Sequence, residues 1–327
     1  MLTGNKSKIS VTVAIPVYNG AKFLESAVKS VIEQDFPVSE IIIVDDNSTD
    51  NTYEIINKIK NELKNHKINY YKNIENIGYS KNWNRCFELC KTRYLVILHQ
   101  DDELKKYCIS KQLNLFDQYE TIALVGGLED FIDSESKIIK MQAKQETRIF
   151  EKGKIYEFVT QTGSYIPCSS VMFNMEKIRK VGYFDEDVIA TDELYWPKVL
   201  VKYPIAILGE SLINRRIHPD QTEYGDFIRY EKEALEIYNK FQRIIDYEER
   251  DQYKQKIKDF LAFKFARGYV GFIAPNVAKR GKRWLAIKYI GKAIKIKPTI
   301  IFYFPKLWKS FVKIGLFFIG IKRTNNG

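Results

Sequence analysis

The stretch Tyr94–Asp102, YLVILHQDD, joins a run of five apolar residues to two adjacent carboxylates. A short apolar run bounded by polar residues is typical of a buried strand. Charged groups at the end of such a strand are costly to bury alone, so they usually line a cleft with a metal ion or a basic partner. We therefore predict that Asp101 and Asp102 lie in a ligand-binding cleft.

A second apolar run, EIIIV at residues 40–44, also ends in two carboxylates, Asp45 and Asp46. In open α/β sheets, ligands bind in the crevice beyond the carboxyl ends of the strands. Two acidic strand ends in one sheet therefore predict a single site for a metal-bound, phosphate-bearing ligand. For Asp45, capping of the turn or helix that follows is an equally good interpretation.

The first half of the chain alternates strand and helix patterns. The predicted strands are 11–17, 41–44, 68–71 and 94–98, and the predicted helices are 21–34, 52–64 and 79–90. This alternation predicts an α/β fold with a mostly parallel, doubly wound sheet and helices on both faces. The second half is more mixed, with strands at 121–127, 170–173, 205–208 and 212–217 and helices at 152–161, 192–201, 231–246 and 251–265.

Charge is distributed unevenly along the 327 residues. Of the 52 Lys and Arg residues, 15 lie in residues 260–327, which contain no Asp or Glu. The first 259 residues therefore hold 37 basic and 41 acidic groups, so the net charge of +11 comes from the tail alone. We predict a catalytic domain over residues 1–222 and a helical, basic region over 223–327 with a partner of its own. The four cysteines form no metal pattern, and we expect buried free thiols.

Five segments in order resemble the family 2 glycosyltransferases of the GT-A fold, over about residues 8–220. They are VAIPVYN at 13–19, VDDNSTD at 44–50, Asn76-Ile77-Gly78 with Asn82, the pair Asp101-Asp102, and Asp192. The resemblance implies an inverting transfer of one sugar from a nucleotide-diphosphate sugar. It favours a UDP-sugar as donor and a glycan or a lipid-linked saccharide as acceptor, by metal-assisted direct displacement.

The resemblance also assigns a donor site. The residues expected to bind the nucleotide sugar are Pro16, Tyr18, Asn19, Asp46, Asn76, Gly78, Asn82, Asp101 and Arg216. Tyr18 would stack near the base in a pocket that Pro16 shapes, and Asp46 would accept a hydrogen bond from the base edge. An ordinary turn and helix cap is the alternative for the segment from Asn76 to Asn82.

A diphosphate leaving group needs its developing charge neutralised, and a divalent cation can do this as a Lewis acid. Hard cations prefer oxygen ligands, so we expect Asp102 to bind Mn²⁺ or Mg²⁺ directly. The resemblance adds His218, since an Arg-x-His segment lies close to the donor phosphates in many members. Whether His99 also contacts the metal stays open.

Direct displacement requires a base that accepts the proton of the acceptor hydroxyl. Asp192 opens a predicted helix after the loop 182–186 and occupies the position of the family's base. An N-cap role is the alternative for Asp192, because Asp is also favoured there. Glu193 is the second candidate for the base, since Thr191 replaces the Glu that often precedes the family's Asp.

The basic tail contains two predicted amphipathic helices, at 284–297 and 306–321, each with a lysine stripe beside an apolar face. Such helices lie in the interface of anionic membranes. We therefore expect a cytoplasmic protein associated peripherally with the inner face of the plasma membrane. The alternative is a helical cap packed on the catalytic domain. We expect no nucleic-acid partner, because the chain has no recognised module, and neither a signal peptide nor a membrane span.

A non-catalytic module that binds nucleotide sugars or tethers partner enzymes at the membrane is the alternative function. A binding module has no need of a base, so the presence of both Asp102 and Asp192 argues for catalysis. A NAD-dependent enzyme is disfavoured because no Gly-x-Gly-x-x-Gly follows the first strand. Processive members carry Gln-x-x-Arg-Trp, and the segment 280–284, RGKRW, lacks the Gln. We therefore expect addition of a single sugar.

Overall fold

A computed structural model describes residues 9–187, 191–218, 236, 239–246, 251–268 and 283–299. The chain divides into two compact units, Met1–Lys254 and Gln255–Gly327. The boundary predicted at residue 222 lies outside the described ranges.

The described part of the first unit is built on one sheet of ten strands. The strands are β1 (Val11–Val17), β2 (Glu40–Asp45), β3 (Ile68–Lys72), β4 (Tyr94–Ile97), β5 (Glu103–Leu104), β6 (Leu124–Ile132), β7 (Ile138–Lys140), β8 (Arg148–Phe150), β9 (Met172–Asn174) and β10 (Ile205–Arg216). The order across the sheet is β3-β2-β1-β4-β9-β6-β10-β5, with β7 paired to β6 and β8 paired to β10.

The half of the sheet formed by β3, β2, β1 and β4 is parallel, as the alternating pattern predicts. Every residue of β1, β2 and β4 is buried. A parallel strand covered by helices on both faces reads as a continuous apolar run, which explains the patterns at 11–17 and 40–44. The carboxyl ends of β1, β2 and β4 consequently meet at one edge.

The other half of the sheet is mixed. Strand β9 runs antiparallel to both β4 and β6, and β10 runs parallel to β6. The sequence predicts two strands at 205–208 and 212–217, whereas the structure joins them into β10, with shifts of register around Ser211. Gly209 lies in this irregular part, where an added Cβ would be 1.9 Å from the Gln145 carbonyl oxygen. A β-bulge therefore explains the interruption of the sequence pattern.

Nine helices of the described residues receive labels here. They are α1 (Leu24–Ile32), α2 (Thr52–Glu62), α3 (Tyr79–Leu89), α4 (Cys108–Gln118), α5 (Ile155–Thr162), α6 (Met175–Val181), α7 (Thr191–Lys202), α8 (Asp251–Gly268) and α9 (Arg283–Ile296). The sequence predicts seven of these, with bounds that differ by a few residues, and misses α4 and α6. The helix predicted at 231–246 is only partly described, and the helix at 306–321 lies outside the described residues.

Helix α9 of the second unit has a buried face and an exposed face. Tyr289, Ile290 and Ala293 are buried, whereas Lys288 and Lys295 are exposed and Trp284 is 73% exposed. Part of the apolar face of α9 is therefore buried within the protein. Among the described helices, none is long and apolar enough to cross a membrane.

Candidate active site

The loops that follow β1 and β2 are held together by polar contacts. Ser48 Oγ accepts a hydrogen bond from the Asn19 N–H (2.9 Å), and Asn19 Oδ1 accepts one from the Thr49 N–H (2.8 Å). Thr52 Oγ1 accepts from the Gly20 N–H at 2.9 Å. The exposed Asn19 has a φ of 51°, a left-handed conformation that Asn tolerates better than most residues. Asn19 therefore shapes the predicted nucleotide pocket by joining its two loops.

Strands β1 and β4 separate at Pro16. The last ladder bond between them runs from the Leu98 N–H to the Ala14 carbonyl (2.9 Å), and the next would need an N–H that Pro16 lacks. The Gln100 side chain bridges the gap, accepting from the Tyr18 N–H (2.8 Å) and donating to the Tyr18 carbonyl (3.1 Å). The Tyr18 side chain is exposed beside this bridge.

Asp45 caps the turn after β2. Its Oδ1 accepts from the N–H (2.8 Å) and the hydroxyl (2.6 Å) of Ser48, and its Oδ2 accepts from the Tyr70 hydroxyl at 2.8 Å. Burial and the Asp45 carboxylate both raise the pKa of the Tyr70 hydroxyl. The structure therefore supports the capping interpretation of Asp45.

Asp46 is buried and organises the turn before α3. Its Oδ1 accepts from Asn73 Nδ2 and from the Ile77 N–H, both at 2.8 Å, and its Oδ2 accepts from the Gly78 N–H at 2.9 Å. Asn82 extends this network by accepting from Asn73 Nδ2 (3.0 Å) and donating to the Val44 carbonyl (2.9 Å). Asp46, Gly78 and Asn82 thus meet in one network. Asn76 is exposed beside it, and its Oδ1 accepts from the Gly78 N–H at 3.2 Å.

Asp102 lies where three segments converge. Its Oδ2 accepts from the Ser169 hydroxyl (2.6 Å), and its Oδ1 accepts from the Arg216 N–H (3.1 Å). Burial, and then the charge of the adjacent Asp101 carboxylate, raise the pKa of Asp102 to about 8. The charged form of Asp102 therefore needs compensation from a cation, as the sequence suggests.

One group of side chains offers ligands to such a cation. His99, Asp101 and Asp102 each present a ligand atom, and these atoms lie within 4.8 Å of one another. Two carboxylates with one imidazole suit a divalent ion such as Mn²⁺, so the residues fit the metal that the sequence predicts. His218 is adjacent to the group, with Nε2 at 3.0 Å from Asp101 Oδ2 and its ring packed against Phe23.

The Arg216 guanidinium is buried among protein oxygens and is 1% exposed. Nε donates to the Asp101 carbonyl (2.9 Å), Nη1 to the Asp133 carbonyl (2.7 Å) and Nη2 to Glu103 Oε1 (2.6 Å). It also stacks on the Phe23 ring, 4.7 Å from the centroid. These contacts hold the backbone beside His99, Asp101 and Asp102. Arg216 would have to give up some of these contacts to bind a phosphate directly.

Asp192 lies in the first turn of α7 and is partly buried. The pKa of the Cys168 thiol is raised by burial, then by the charge of Asp192, and then by that of Asp102. Two hydrogen bonds connect the segment before β9 with α7 and with Asp102: the Ser164 hydroxyl donates to the Glu193 carbonyl (2.8 Å), and the Ser169 hydroxyl donates to Asp102 Oδ2 (2.6 Å). The first turn of α7, which carries Asp192, and the Asp102 carboxylate are thus connected through residues 164–169.

Several side chains near the predicted site residues were not predicted from the sequence as part of the site, because their residue types are common in ordinary loops and helices. They are Asn73, Trp83, Gln100, Glu129, Tyr165, Ser169 and Arg215. Trp83 stacks on His99, with ring centroids 4.8 Å apart and planes 20° apart, and thereby orients a potential ligand. Ser169 could have been found from the pair Ser169-Ser170, which follows Cys168 at a predicted strand.

Residues 12–182, just over half of the chain, match the family model described as "Glycosyl transferase family 2". A 149-residue segment is 37% identical to the putative teichuronic acid biosynthesis glycosyltransferase TuaG of Bacillus subtilis, covering 42% of this chain and 58% of that protein. The chain spans 65%, 37% and 35% of three other curated glycosyltransferases, so less than two thirds of each.

Two solved structures have the same fold. S. aureus TarS 1-349 in complex with UDP-GlcNAc has a TM-score of 0.62 at 17% identity, over 88% of this chain and 81% of TarS 1-349. The mannosyltransferase PcManGT from Pyrobaculum calidifontis, in complex with GDP-Man and Mn²⁺, has a TM-score of 0.58 at 14% identity, over 92% of this chain and 88% of PcManGT. At these identities the similarity establishes the fold.

The conformation of Gly78 provides a test of the Asp46 network. Gly78 has φ 85° and ψ 157°, a region that only glycine adopts readily, and an added Cβ would meet nothing within 4 Å. We expect Gly78→Ala to lower the free energy of unfolding by about 1–3 kcal/mol, through the backbone alone. Urea unfolding followed by circular dichroism measures this.

The matched control is Gly291→Ala in α9, where an added Cβ also meets nothing within 4 Å and φ is not positive. This change should stabilise the protein by about 0.5–1 kcal/mol, because alanine favours the helix. Equal effects of the two substitutions would contradict the assigned conformation of Gly78.

Proposed function

The chain belongs to the family 2 glycosyltransferases and has the GT-A fold, and from this premise we propose that it is an inverting glycosyltransferase. It would move one sugar from a nucleotide-diphosphate sugar to a glycan or lipid-linked saccharide. The observation that carries the proposal is that residues 164–169 contact both the first turn of α7, which carries Asp192, and the Asp102 carboxylate. One cleft then contains a group for the leaving diphosphate and a group for the attacking hydroxyl.

On the donor side, the turn organised by Asp46 and the exposed Tyr18 ring would hold the nucleotide. His99, Asp101 and Asp102 would hold Mn²⁺ or Mg²⁺, and His218 would orient the Asp101 carboxylate. When bound, the cation neutralises the charge that develops on the diphosphate as it leaves. The Ser169 and Arg216 contacts keep the Asp102 oxygens fixed during this step.

On the acceptor side, the Asp192 carboxylate would take the proton of the acceptor hydroxyl. The acceptor oxygen then forms a bond to the anomeric carbon while the bond from that carbon to the diphosphate oxygen breaks. The configuration inverts because the two oxygens lie on opposite sides of the carbon. The first turn of α7 also places Asp192 where a helix dipole stabilises its charged form.

A UDP-hexose or UDP-N-acetylhexosamine is the favoured donor. TarS has been solved with UDP-GlcNAc and PcManGT with GDP-Man and Mn²⁺, and both donors carry an uncharged sugar. TuaG is named for teichuronic acid biosynthesis, which supports a role in surface polysaccharide assembly for this chain also.

Peripheral attachment to an anionic membrane would bring the enzyme to a lipid-linked acceptor. The support is the basic tail, with 15 Lys and Arg and no acidic residue after position 259. In α9, Lys288 and Lys295 are exposed while Tyr289, Ile290 and Ala293 are buried, so attraction by charge rather than insertion of these apolar residues would dominate.

Nucleotide binding tests the donor side first. We expect calorimetric titration with UDP, GDP, dTDP and CMP to reveal one nucleotide whose binding depends on Mn²⁺. Asp102→Asn should reduce that metal-dependent affinity by more than about tenfold, since the cation loses a fixed ligand. Asp187→Asn is the matched control, because the Asp187 side chain is 81% exposed. Equal binding by the two variants would remove Asp102 from the metal site, and no binding of any nucleotide would remove the donor site.

Substitution of the base separates catalysis from binding. In Asp192→Asn we expect nucleotide affinity to persist while release of the free nucleotide from the donor falls by about 10²–10⁴-fold. Glu193→Gln, one residue along the same helix, is the control and should retain most of the activity. If the Glu193 variant fails and the Asp192 variant does not, Glu193 is the base. Full turnover by both variants would favour the alternative of a nucleotide-sugar tethering module.

Sedimentation with lipid vesicles tests the membrane attachment. The chain should bind vesicles that contain phosphatidylglycerol and should dissociate from them at high salt. Replacing both Lys288 and Lys295 by Glu should weaken vesicle binding by at least about fivefold per lysine. The reason is that each lysine near an anionic surface contributes roughly 1 kcal/mol of attraction. Reversing Lys29 and Lys137, which are equally exposed in the first unit, should have little effect. Salt-independent binding, or none, would contradict attachment by the tail.

A further inference from the structure

We propose that Glu129, Tyr165 and Arg215 form the surface that contacts the transferred sugar of the donor, and that this surface selects an uncharged pyranose. The proposal rests on the proposed function and specifies its substrate class. The three residues are called the Glu129 cluster below. They come from β6, from the loop after α5 and from the end of β10, and their order in the sequence gives no sign that they meet.

The Glu129 cluster is closed by short contacts. The Tyr165 hydroxyl donates to Glu129 Oε1 at 3.1 Å and accepts from Arg215 Nη1 at 3.1 Å. The same Nη1 lies 3.5 Å from Glu129 Oε1. The Glu129 carboxylate is buried, whereas Tyr165 is 41% exposed and the Arg215 side chain is 20% exposed. Glu129 therefore acts as the internal support, and Tyr165 and Arg215 present their edges to the cleft.

The cluster lies between the two functional carboxylates. Arg215 precedes Arg216, whose N–H donates to Asp102 Oδ1 at 3.1 Å. Tyr165 follows Ser164, whose hydroxyl donates at 2.8 Å to the carbonyl of Glu193, the residue after Asp192. In a direct displacement the leaving diphosphate and the attacking hydroxyl lie on opposite sides of the sugar carbon. A surface that extends from Asp102 toward Asp192 consequently borders the sugar ring itself.

The chemistry of the cluster suits neutral hydroxyl or acetamido groups. Tyr165 remains a phenol, because burial and Glu129 raise its pKa, and a phenol oxygen can accept from a sugar hydroxyl. A planar guanidinium can donate to adjacent sugar oxygens. Glu129 balances the charge of Arg215, so a carboxylate on the sugar would meet no net positive charge and would face Asp192 and Glu129. The cluster therefore disfavours a hexuronate.

Calorimetry with UDP, UDP-N-acetylglucosamine and UDP-glucuronate, all with Mn²⁺, tests this assignment. The measured quantity is the ratio of the affinity for each UDP-sugar to that for UDP. In the wild-type protein we expect this ratio to be higher for UDP-N-acetylglucosamine than for UDP-glucuronate. Tyr165→Phe should lower the first ratio by about threefold to tenfold, the effect of one hydrogen bond, and leave the affinity for UDP unchanged.

Glu129→Gln should raise the ratio for UDP-glucuronate by about tenfold relative to the wild-type protein, because Arg215 loses its internal counter-charge. Tyr119→Phe is the control for the loss of a hydroxyl, since Tyr119 is exposed at the end of α4, and it should alter no ratio. Unchanged affinity for UDP in Tyr165→Phe and Glu129→Gln would show that they fold.

Two results would overturn the assignment. Equal losses of affinity for UDP and for UDP-sugars would move the cluster to the diphosphate, and unchanged ratios in both variants would remove it from the sugar site. The absence of nucleotide binding by the wild-type protein would instead overturn the proposed function, so the two failures are distinguishable.

Discussion

The buried carboxylate of Asp102 is the constraint on which the described architecture of the site depends. A carboxylate in this position is costly unless its oxygens are satisfied, and two donors from different parts of the chain satisfy them. Ser169 belongs to the turn before β9, and Arg216 ends β10. The pairing of β9 with β4, and the bulge within β10, are needed to bring both donors to one point. The hydrogen bonds that Asp102 requires thus connect the mixed half of the sheet with the parallel half.

Several side chains of the site hold other groups in position. Gln100 pairs with the Tyr18 backbone beyond the end of β1. Asn19 joins the loops after β1 and β2, and the Asn73 side chain donates to Asp46. The Arg216 guanidinium donates to the Asp101 carbonyl. Because parallel strands end with unpaired backbone groups, a cleft at that edge needs such side chains before it can hold anything. Several residues that the family resemblance assigns to the nucleotide sugar are already engaged in this way, so their substitution would affect the shape of the pocket as well as its contacts.

The parallel half of the fold was predictable from sequence because the physical signal there is local. Strand β1 has the predicted bounds, Val11–Val17, since burial on both faces yields an unbroken apolar run. Helix α4 was missed although its apolar spacing is helical, because the buried Gln112 interrupts the pattern. Gln112 donates to the carbonyls of Val125 and Ser170, partners that no local pattern can supply. Ser169 and the Glu129 cluster were not predicted for the same reason, because their hydrogen-bond partners are distant in the sequence.

The contrast between local patterns and long-range contacts also decides which properties of the site follow from the family resemblance. The acidic strand ends are short motifs, and the parallel half of the sheet brings them to one edge, whereas Asp192 lies on α7, after β9. The identity of the sugar depends instead on β6, the loop after α5 and the end of β10, where this chain has Glu129, Tyr165 and Arg215. Their mutual contacts are side-chain contacts across the sheet, which motifs at the strand ends do not constrain. The proposed sugar contact therefore follows from the structure of this chain and not from its short motifs.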